Sequence, residues 1–293
     1  MVKSLLCCLS LLLSLNSCQG QSAPAQQPAA DPCANRRYQD SLVTRYQDSL
    51  VTRYLENGAQ RFGYNHPNWE KYCDSLIAAC PNVAEAYREK AIPYLKNGDY
   101  ARAFPLEDRA VVLDPKRNTA YRAFLKCIFT KDYAGALVDF ERAEQLTPGG
   151  YEMDHTYWFY RGLCHLELGQ LEQAAAALQR DVAAQQGGDQ RREPHFNTLF
   201  YQGVVELERR RYPQAEALLT ACLRIYSSFP DAHYYLALAL RQRGQDAASR
   251  QHLLLARAGL QKGYGLNEDN VYYANYPHQI TRYEVEQALQ PAP

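Results

Sequence analysis

The sequence has no excess of charge of either sign, because 32 Lys and Arg residues are matched by 32 Asp and Glu residues. A protein that grips the phosphate backbone of nucleic acid normally carries a positive field, so this balance argues against that class. The mean hydropathy of −0.49 excludes a protein with many membrane-spanning helices. Gly and Pro, at 16 and 15 residues, are close to average, which excludes collagen-like and wholly low-complexity chains.

The usual sequence signatures of catalysis and metal binding are also missing. The chain has no C-x-x-C pair, no H-E-x-x-H, no G-x-x-x-x-G-K-[ST] and no G-x-S-x-G. His165 stands where a repeat would place an aromatic residue, which predicts a core or groove-lining side chain. Residues 267–270 lack the alternating oxygen ligands, the Gly and the final Glu of an EF-hand loop, so they predict a turn or helix start. We therefore expect no enzyme, no metal site and no cofactor.

The first eighteen residues have the form of an export signal. Lys3 is followed by an apolar run from Leu5 to Leu15 that is too short to span a bilayer. The run ends in Leu-Asn-Ser-Cys, which resembles the lipobox of bacterial lipoproteins. That resemblance implies removal of residues 1–17 and fatty acylation, palmitate included, at Cys18. The alternative is an ordinary signal peptide cut after Ala25, which ends an A-x-A triplet.

Residues 18–35 are polar and contain several Pro, which predicts a flexible tether behind the lipid. The residue after the expected lipid site is Gln19 rather than Asp. By the same resemblance this favours the outer membrane of a Gram-negative bacterium. No acidic cluster follows Cys18, which favours the side of the membrane that faces the periplasm.

A period of 33 to 34 residues runs through the middle of the chain. It separates three pairs of like residues, namely Tyr87 and Tyr121, Ala103 and Ala136, and Pro115 and Pro148. Their spacing and types resemble the tetratricopeptide repeat, in which small residues let two helices cross closely and bulky ones fill the space beside them. The resemblance implies an all-α fold, a right-handed α-solenoid of stacked helix pairs.

The resemblance covers residues 84–262 as about five repeats, with insertions in loops between repeats. We expect residues 36–83 to be helical with a partial repeat, and residues 263–293 to form a C-terminal cap with a short final helix. The octapeptide YQDSLVTR occurs twice in tandem near the N-terminus, which predicts a docking helix or an exposed helix packed on the first repeat. Its apolar stripe would consist of Tyr38, Leu42, Tyr46, Leu50 and Tyr54.

Six Cys follow the expected lipid site. Three of them, Cys127, Cys164 and Cys222, occupy core places of the repeats and are predicted to be small buried packing residues. Cys73 and Cys80 are about two turns apart on one predicted helix, too far to bond to each other. In a compartment that permits oxidation, Cys33 can form a disulfide with either of them, and the sequence does not decide between the two.

The fifth residue of each repeat is expected to line a concave groove. Down the array this place reads Arg88, Arg122, Phe159, Phe200 and Tyr234, and Lys126 and Leu163 lie one turn further on. The pattern predicts a groove that is basic at one end and aromatic or apolar at the other, suited to an extended peptide or helix. The alternative is that the C-terminal tail itself fills the apolar part.

The expected function is a membrane-anchored scaffold or adaptor that binds protein partners through this groove. The alternative is a helical-repeat lipoprotein of nutrient uptake that binds a glycan or another small ligand. Such receptors resemble this chain less well, because they carry exposed Trp, whereas Trp69 and Trp158 both fall at repeat-packing places.

Overall fold

The computed structural model describes residue 33 and residues 41–187, 193–268 and 270–290. The expected signal segment, the lipid site Cys18, almost all of the tether and Tyr38 lie outside the described residues. The helices are α1 (Ser41–Val51), α2 (Pro67–Ala79), α3 (Ala84–Lys96), α4 (Tyr100–Leu113), α5 (Pro115–Leu125), α6 (Tyr133–Leu146), α7 (Tyr157–Glu167), α8 (Leu171–Gln186), α9 (Phe196–Glu208), α10 (Tyr212–Ile225), α11 (Pro230–Gln242), α12 (Asp246–Gln261) and α13 (Arg282–Leu289).

Three kinds of shorter element interrupt this series of helices. They are π-helical turns at Thr52–Glu56 and Lys126–Thr130, a 3-10 turn at Ala59–Arg61, and an antiparallel hairpin of β1 (Tyr151–Glu152) and β2 (His155–Thr156). The hairpin occupies the insertion predicted between the second and third repeats. No helix in the described part of the chain is both long and apolar enough to cross a membrane.

From α3 onward the helices pack as five consecutive pairs, α3 with α4 through α11 with α12, and each pair also contacts the next. The connections inside four of the pairs are three residues long, which forces each second helix back along the first. In the second pair the π-helical turn Lys126–Thr130 and two further residues join α5 to α6. The described chain is thus an all-α solenoid, and the predicted fold class is confirmed.

Local sequence explains where several of these helices begin and end. The carboxylates of Asp99, Asp114 and Asp132 cap α4, α5 and α6 by accepting backbone N–H groups in the first turn, at 2.9–3.2 Å. The turn inside a pair needs one left-handed residue. Gly98 supplies it between α3 and α4 at φ 75°, and Lys131 takes the same place before α6 at φ 59°.

Close helix crossing depends on small residues, as the repeat pattern predicts. A Cβ added to Gly203 would lie 2.6 Å from Cγ of Leu219, and one added to Gly162 would lie 2.7 Å from Cγ of Leu178. Each glycine therefore lets a first helix rest directly on its second helix. The same crossing place on the other first helices holds fully buried alanines, Ala91, Ala123 and Ala237.

The N-terminal helices form a separate small core, which differs from the predicted stripe. Leu50 is buried as expected, but Tyr46 is 42% exposed, and its neighbour Gln47 is buried instead. The inward face of α1 is thus offset by one residue. The π-helical turn that follows α1 continues this offset, because Leu55 is buried rather than Tyr54.

One covalent link ties the start of the chain to this region. Cys33 forms a disulfide with Cys80, at a Cα–Cα distance of 5.2 Å. The alternative partner, Cys73, is a buried free thiol. The predicted choice between the two cysteines is therefore resolved in favour of the residue at the C-terminal end of α2.

Candidate functional site

The first helices of the five pairs, α3, α5, α7, α9 and α11, lie on one side of the array, and we call the surface that they form the inner face. Four tyrosines recur at one place on this face, Tyr121, Tyr160, Tyr201 and Tyr235. The guanidinium of Arg88 lies 4.2 Å from the ring centre of the first of them. Phe159 and Phe200 lie 5.6 Å from the third and fourth. Tyr121, Tyr201 and Tyr235 are thus each packed by a side chain of the preceding first helix.

This equivalence shows that the predicted register of the second repeat is wrong. Ala123, which is fully buried, takes the crossing place that Gly162 takes in the third repeat. The second repeat then passes through the π-helical turn Lys126–Thr130, which accommodates one extra residue. The counterpart of Arg88 is therefore Ala120, and Arg122 does not stand at the predicted groove place.

Arg122 and Lys126 are neutralised by carboxylates rather than open to a partner. Arg122 makes a bidentate pair with Asp139, at 2.7 and 2.8 Å, and a further pair with Asp108 at 2.7 Å. Nζ of Lys126 lies 2.8 Å from Oδ2 of Asp139, the oxygen that also accepts from Nε of Arg122. The two cations hold α4, α5 and α6 together, so the structure does not show the predicted basic patch at these residues.

The predicted aromatic end of the groove lies in the core. Phe159 and Leu163 are fully buried, and Phe200 is 1% exposed. The reason is that a side chain directly before one of the recurring tyrosines, such as Phe159 or Phe200, points between neighbouring first helices rather than outward. Tyr234 is half-buried and packs on the small core around α13. The structure therefore does not bring these residues together with Arg88, Arg122 and Lys126 as one exposed patch, and their role in binding a partner stays a prediction.

What covers the inner face is the chain's own C-terminal segment. We call residues 264–268 and 270–280 the strap. The strap leaves α12 at Gly263, crosses the inner face towards the N-terminal helices and returns to α13. The structure thus adopts the predicted alternative in which the tail lies across the inner face.

A buried polar cluster fixes the outgoing arm of the strap. The carboxylate of Glu268 lies 2.8 Å from Nε2 of His155 and accepts a hydrogen bond from the amide of Asn197. The side chains of His155 and Glu268 are 1% and 5% exposed. Leu266, two residues before the carboxylate, is buried among the core residues. A buried pair of this kind is costly to break from one side only, so this arm is firmly held.

Two main-chain groups fix the returning arm. The hydroxyl of Tyr201 donates to the carbonyl of Pro277 at 2.9 Å, and the N–H of Ile280 donates to the carboxylate of Asp231 at 2.9 Å. Burial raises the pKa of Asp231 to about 6, although the hydrogen bond from Ile280 works in the opposite direction. The inner face therefore recognises an extended backbone as well as side chains.

Side chains of the returning arm add further contacts. Tyr276 is 3% exposed and belongs to the main core. His278 places Nδ1 3.1 Å from the hydroxyl of Tyr235 and Nε2 3.0 Å from the carboxylate of Glu167. The tyrosines of the inner face thus meet the strap through their hydroxyl groups, which a buried tyrosine needs to satisfy.

The tip of the strap, residues 270–275, reaches the N-terminal end of the array, and we call it the apex. Its Tyr273 places its hydroxyl 3.3 Å from that of Tyr64, and the two rings meet edge to face. Nζ of Lys96 lies 4.6 Å from both ring centres. The ammonium of Lys131 donates to the carbonyl of Asn275.

One buried carboxyl group lies in the core of the first repeat without a hydrogen bond. Glu107 occupies the place that Phe140 and Leu178 occupy on later second helices. No residue in the described chain donates a hydrogen bond to either of its carboxylate oxygens. Burial raises its pKa from the usual 4.5 to about 8, and the positive charge of Arg88 only partly offsets this. The group is therefore largely protonated at neutral pH.

The remaining cysteines are core residues. Cys127, Cys164 and Cys222 are fully buried, as predicted, and burial raises the pKa of Cys222 to about 12. Such thiols are poor nucleophiles because the thiolate is disfavoured. Among the residues that the structure describes, no three or more His, Cys, Asp and Glu side chains are grouped so that they could hold a metal ion.

The recurring tyrosines and the path of the strap were not predicted from the sequence. A pattern was present, because in three repeats a tyrosine stands two residues before the small crossing residue, namely Tyr160, Tyr201 and Tyr235. Buried tyrosines need partners for their hydroxyl groups, and a tail rich in polar and aromatic residues could have supplied them. No pattern in the sequence pairs Glu268 with His155, because 113 residues separate them.

Comparison with known proteins finds relatives of the fold. A tetratricopeptide repeat family model matches residues 130–189 and 200–263. No curated protein matches the chain. Among solved structures, the chain is similar to PilW, a widely conserved type IV pilus biogenesis factor, with a TM-score of 0.57 and 16% identity over 75% of this chain and 98% of PilW.

Two further solved structures share the architecture. One is MamA, residues 41 to the end, from Desulfovibrio magneticus RS-1, with a TM-score of 0.52 and 13% identity over 61% of this chain and 96% of that one. The other is the APC/C hetero-tetramer Cut9-Hcn1, with a TM-score of 0.56 and 13% identity over 87% of this chain and 44% of that one. At these identities the likeness concerns the fold alone.

Proposed function

Since this chain is an α-solenoid that carries tetratricopeptide repeats, we propose that it is a non-catalytic scaffold that binds protein partners. The observation that carries this proposal is that the inner face already holds an extended polypeptide. Tyr201 and Asp231 bind main-chain groups of the strap, and His155 with Asn197 binds a carboxylate. A surface that recognises a backbone, a carboxylate and aromatic rings has the chemistry of a peptide-binding face.

We further propose that the scaffold is anchored by lipid at Cys18 to the outer membrane of a Gram-negative bacterium and faces the periplasm. The lipobox-like residues before Cys18 and the tether after it support this location. The disulfide between Cys33 and Cys80 fits an oxidising compartment. Several acyl chains on one residue would give stable attachment, whereas a single chain binds only marginally.

The anchor is tested by expressing a Cys18→Ala variant in cells and separating membrane from soluble fractions. We expect the wild type to be in the membrane fraction with a mass increased by acyl chains, and the variant to lose both properties. Cys33→Ser is the matched control, because it removes another N-terminal Cys and should leave the protein membrane-bound. Cleavage after Ala25 in the wild type would contradict the anchor.

The scaffold function is tested by cross-linking the tagged full-length protein in its own cells and identifying what co-purifies by mass spectrometry. We expect at least one polypeptide that also binds the purified protein in calorimetry at a defined ratio. An unrelated tagged lipoprotein from the same membrane is the control. If no polypeptide passes both steps, and a sugar or other small ligand raises the melting temperature, the scaffold function is wrong.

The glycan alternative gains no support from the tryptophans. The ring N–H of Trp69 donates to the backbone carbonyl of Glu89 at 2.8 Å, and the ring is 8% exposed. The ring of Trp158 is flanked by Arg161 and Arg180, at 4.2 and 4.5 Å. The ring of Trp69 is therefore closed to a sugar, and that of Trp158 already has two guanidinium groups against it.

A further inference from the structure

We propose that a partner binds the inner face by replacing the apex of the strap, and that it does so with an extended segment that carries an aromatic and an acidic residue. The proposal rests on the scaffold function and specifies both the surface and the chemistry of the partner. Its basis is the contrast between the firmly held arms of the strap and the lightly held apex, together with two lysines under the apex.

The arms and the apex of the strap differ in how they are held. The arms are fixed by buried groups, Glu268 on one side and Pro277 with Ile280 on the other. In the apex, Tyr272 is 91% exposed, and Val271, Tyr273 and Ala274 are only partly buried at the edge of the main core. The ring of Tyr273 has an edge-to-face partner in Tyr64, a long hydroxyl contact and the ammonium of Lys96. Local opening is easiest where few buried contacts are lost, so the apex can leave while the arms stay.

The charge under the apex is unbalanced. Lys96 faces the rings of Tyr64 and Tyr273, and Lys131 donates to the carbonyl of Asn275, with the carboxylate of Glu167 further away. Neither lysine forms an ion pair with a carboxylate of the described chain, in contrast to Lys126, which pairs with Asp139. Partial desolvation lowers the pKa of Lys131, so an anion beside it would be favourable. Two cations without a directly paired carboxylate complement an acidic partner segment.

The aromatic requirement follows from the slot that Tyr273 occupies. The slot is bounded by the ring of Tyr64 and the ammonium of Lys96, and it accepts a ring edge to face with a cation over it. A cation over the face of an aromatic ring attracts it through the ring quadrupole, so the slot favours an aromatic side chain. A partner with an aromatic residue keeps this contact and adds the ion pair that the apex lacks.

The test uses the full-length protein with residues 271–274 changed to Gly-Ser-Gly-Ser, which preserves the chain length and both arms. The probes are fluorescently labelled peptides that copy residues 270–276, one with the native sequence, one with Asn275→Asp and one with Asn275→Lys. We expect the Asp peptide to bind about tenfold more tightly than the Lys peptide by anisotropy, with a difference that shrinks as salt is raised. A Tyr273→Ala change in the Asp peptide should abolish binding.

Two further variants of the altered protein locate the charge effect. Lys131→Gln should remove the preference for the Asp peptide, whereas Lys262→Gln, at an exposed lysine after α12, should keep it. Equal binding of the Asp and Lys peptides, or no binding to an altered protein that melts like the wild type, would overturn the proposal. A partner found by cross-linking would survive that result, so the scaffold function and the apex are judged separately.

Hydrogen exchange on the unaltered protein gives a second reading that needs no variant. The amides of residues 270–275 should exchange faster than those of residues 276–280, because only the apex opens. Equal protection of the two groups would show that the whole strap is a fixed part of the core and would refute the proposal, even if the altered protein failed to fold.

Discussion

Glu107 is the residue at which the repeat pattern and the chemistry disagree most. The equivalent position holds Phe or Leu in the other second helices, and the side chain at this position is buried in every repeat. Burying an unpaired carboxylate is so costly that the group takes up a proton instead. The core of the first repeat is therefore packed around a neutral acid at neutral pH.

This leads to a prediction about stability and pH. Because the folded-state pKa of Glu107 is about 8 and the usual value is 4.5, the folded protein binds this proton more tightly than the unfolded one. The free energy of unfolding should fall as pH rises from 4.5 towards 8 and then level off, at about 1.4 kcal/mol for each unit of raised pKa. Glu107→Gln should lose the fall above pH 6, keep at lower pH the part that comes from Asp231, and be more stable than the wild type above pH 8 in urea titrations.

The matched control for this prediction is Glu56→Gln, which changes an exposed glutamate in the π-helical turn after α1. The unfolding free energy of this variant should change with pH as that of the wild type does. If Glu107→Gln keeps the wild-type slope between pH 4.5 and 8, the buried carboxyl group is not the source of the slope.

At the scale of single helices, the crossing glycines set how closely a pair can pack. Gly203→Ala would bring a Cβ to within 2.6 Å of Leu219, so α9 and α10 would have to separate. We expect a loss of about 1–3 kcal/mol in unfolding free energy, the usual cost of overpacking a core. Gly63→Ala is the control, since a Cβ there meets nothing within 4 Å and should not destabilise. Equal melting temperatures for the two variants would show that the helices adjust freely.

The disulfide acts on the N-terminal element in the same local way. Cys33 and Cys80 are 47 residues apart, and closing a loop of that length stabilises a folded state by about 2–4 kcal/mol. A reductant should lower the melting temperature of the N-terminal helices in the wild type. It should have no further effect on Cys33→Ser, which should already melt at the lower temperature. A wild type that does not respond to reductant would contradict the bond in solution.

The elements that could be predicted from sequence are those with local causes. The repeat helices have apolar periodicity and nearby caps, such as Asp99 before α4 and Asp114 before α5. The π-helical turn at Lys126–Thr130 was not predicted, since the spacing of 34 between Tyr87 and Tyr121 looked regular although the crossing residue Ala123 follows Ala91 by only 32. Because the register of the second repeat was predicted wrongly, Arg122 was assigned to the groove position that Ala120 occupies.

The strap was not predictable for a different reason, since its contacts join parts of the chain that no short pattern connects. Tyr273 contacts Tyr64 across 209 residues, and Glu268 contacts Asn197 across 71. A tail that would cap the last repeat was expected from the need to cover its apolar end. That it continues along the inner face as far as the first repeat depends on groups that only the fold brings together.

For the molecule as a whole, the strap changes how cooperative the fold can be. In a solenoid each repeat contacts only its neighbours, so distant repeats can unfold separately. Here the strap joins α13 at one end of the array to Tyr64 and Lys96 at the other. Contacts between the two ends should make the array unfold as one unit, as a compact domain does.

Removing residues 264–293 should therefore split the unfolding transition. The two tryptophans report on different regions, because Trp69 lies in the N-terminal core and Trp158 in the third repeat. In single-tryptophan versions made with Trp158→Phe or Trp69→Phe, the full-length protein should give the same urea midpoint from both probes. The shortened protein should give two midpoints, with a lower slope for each, since each unit exposes less surface.

Removal of residues 291–293 alone is the control and should leave the midpoints together. Coincident midpoints in the shortened protein would mean that contacts between adjacent pairs carry the cooperativity, and that the strap covers the inner face without coupling its ends.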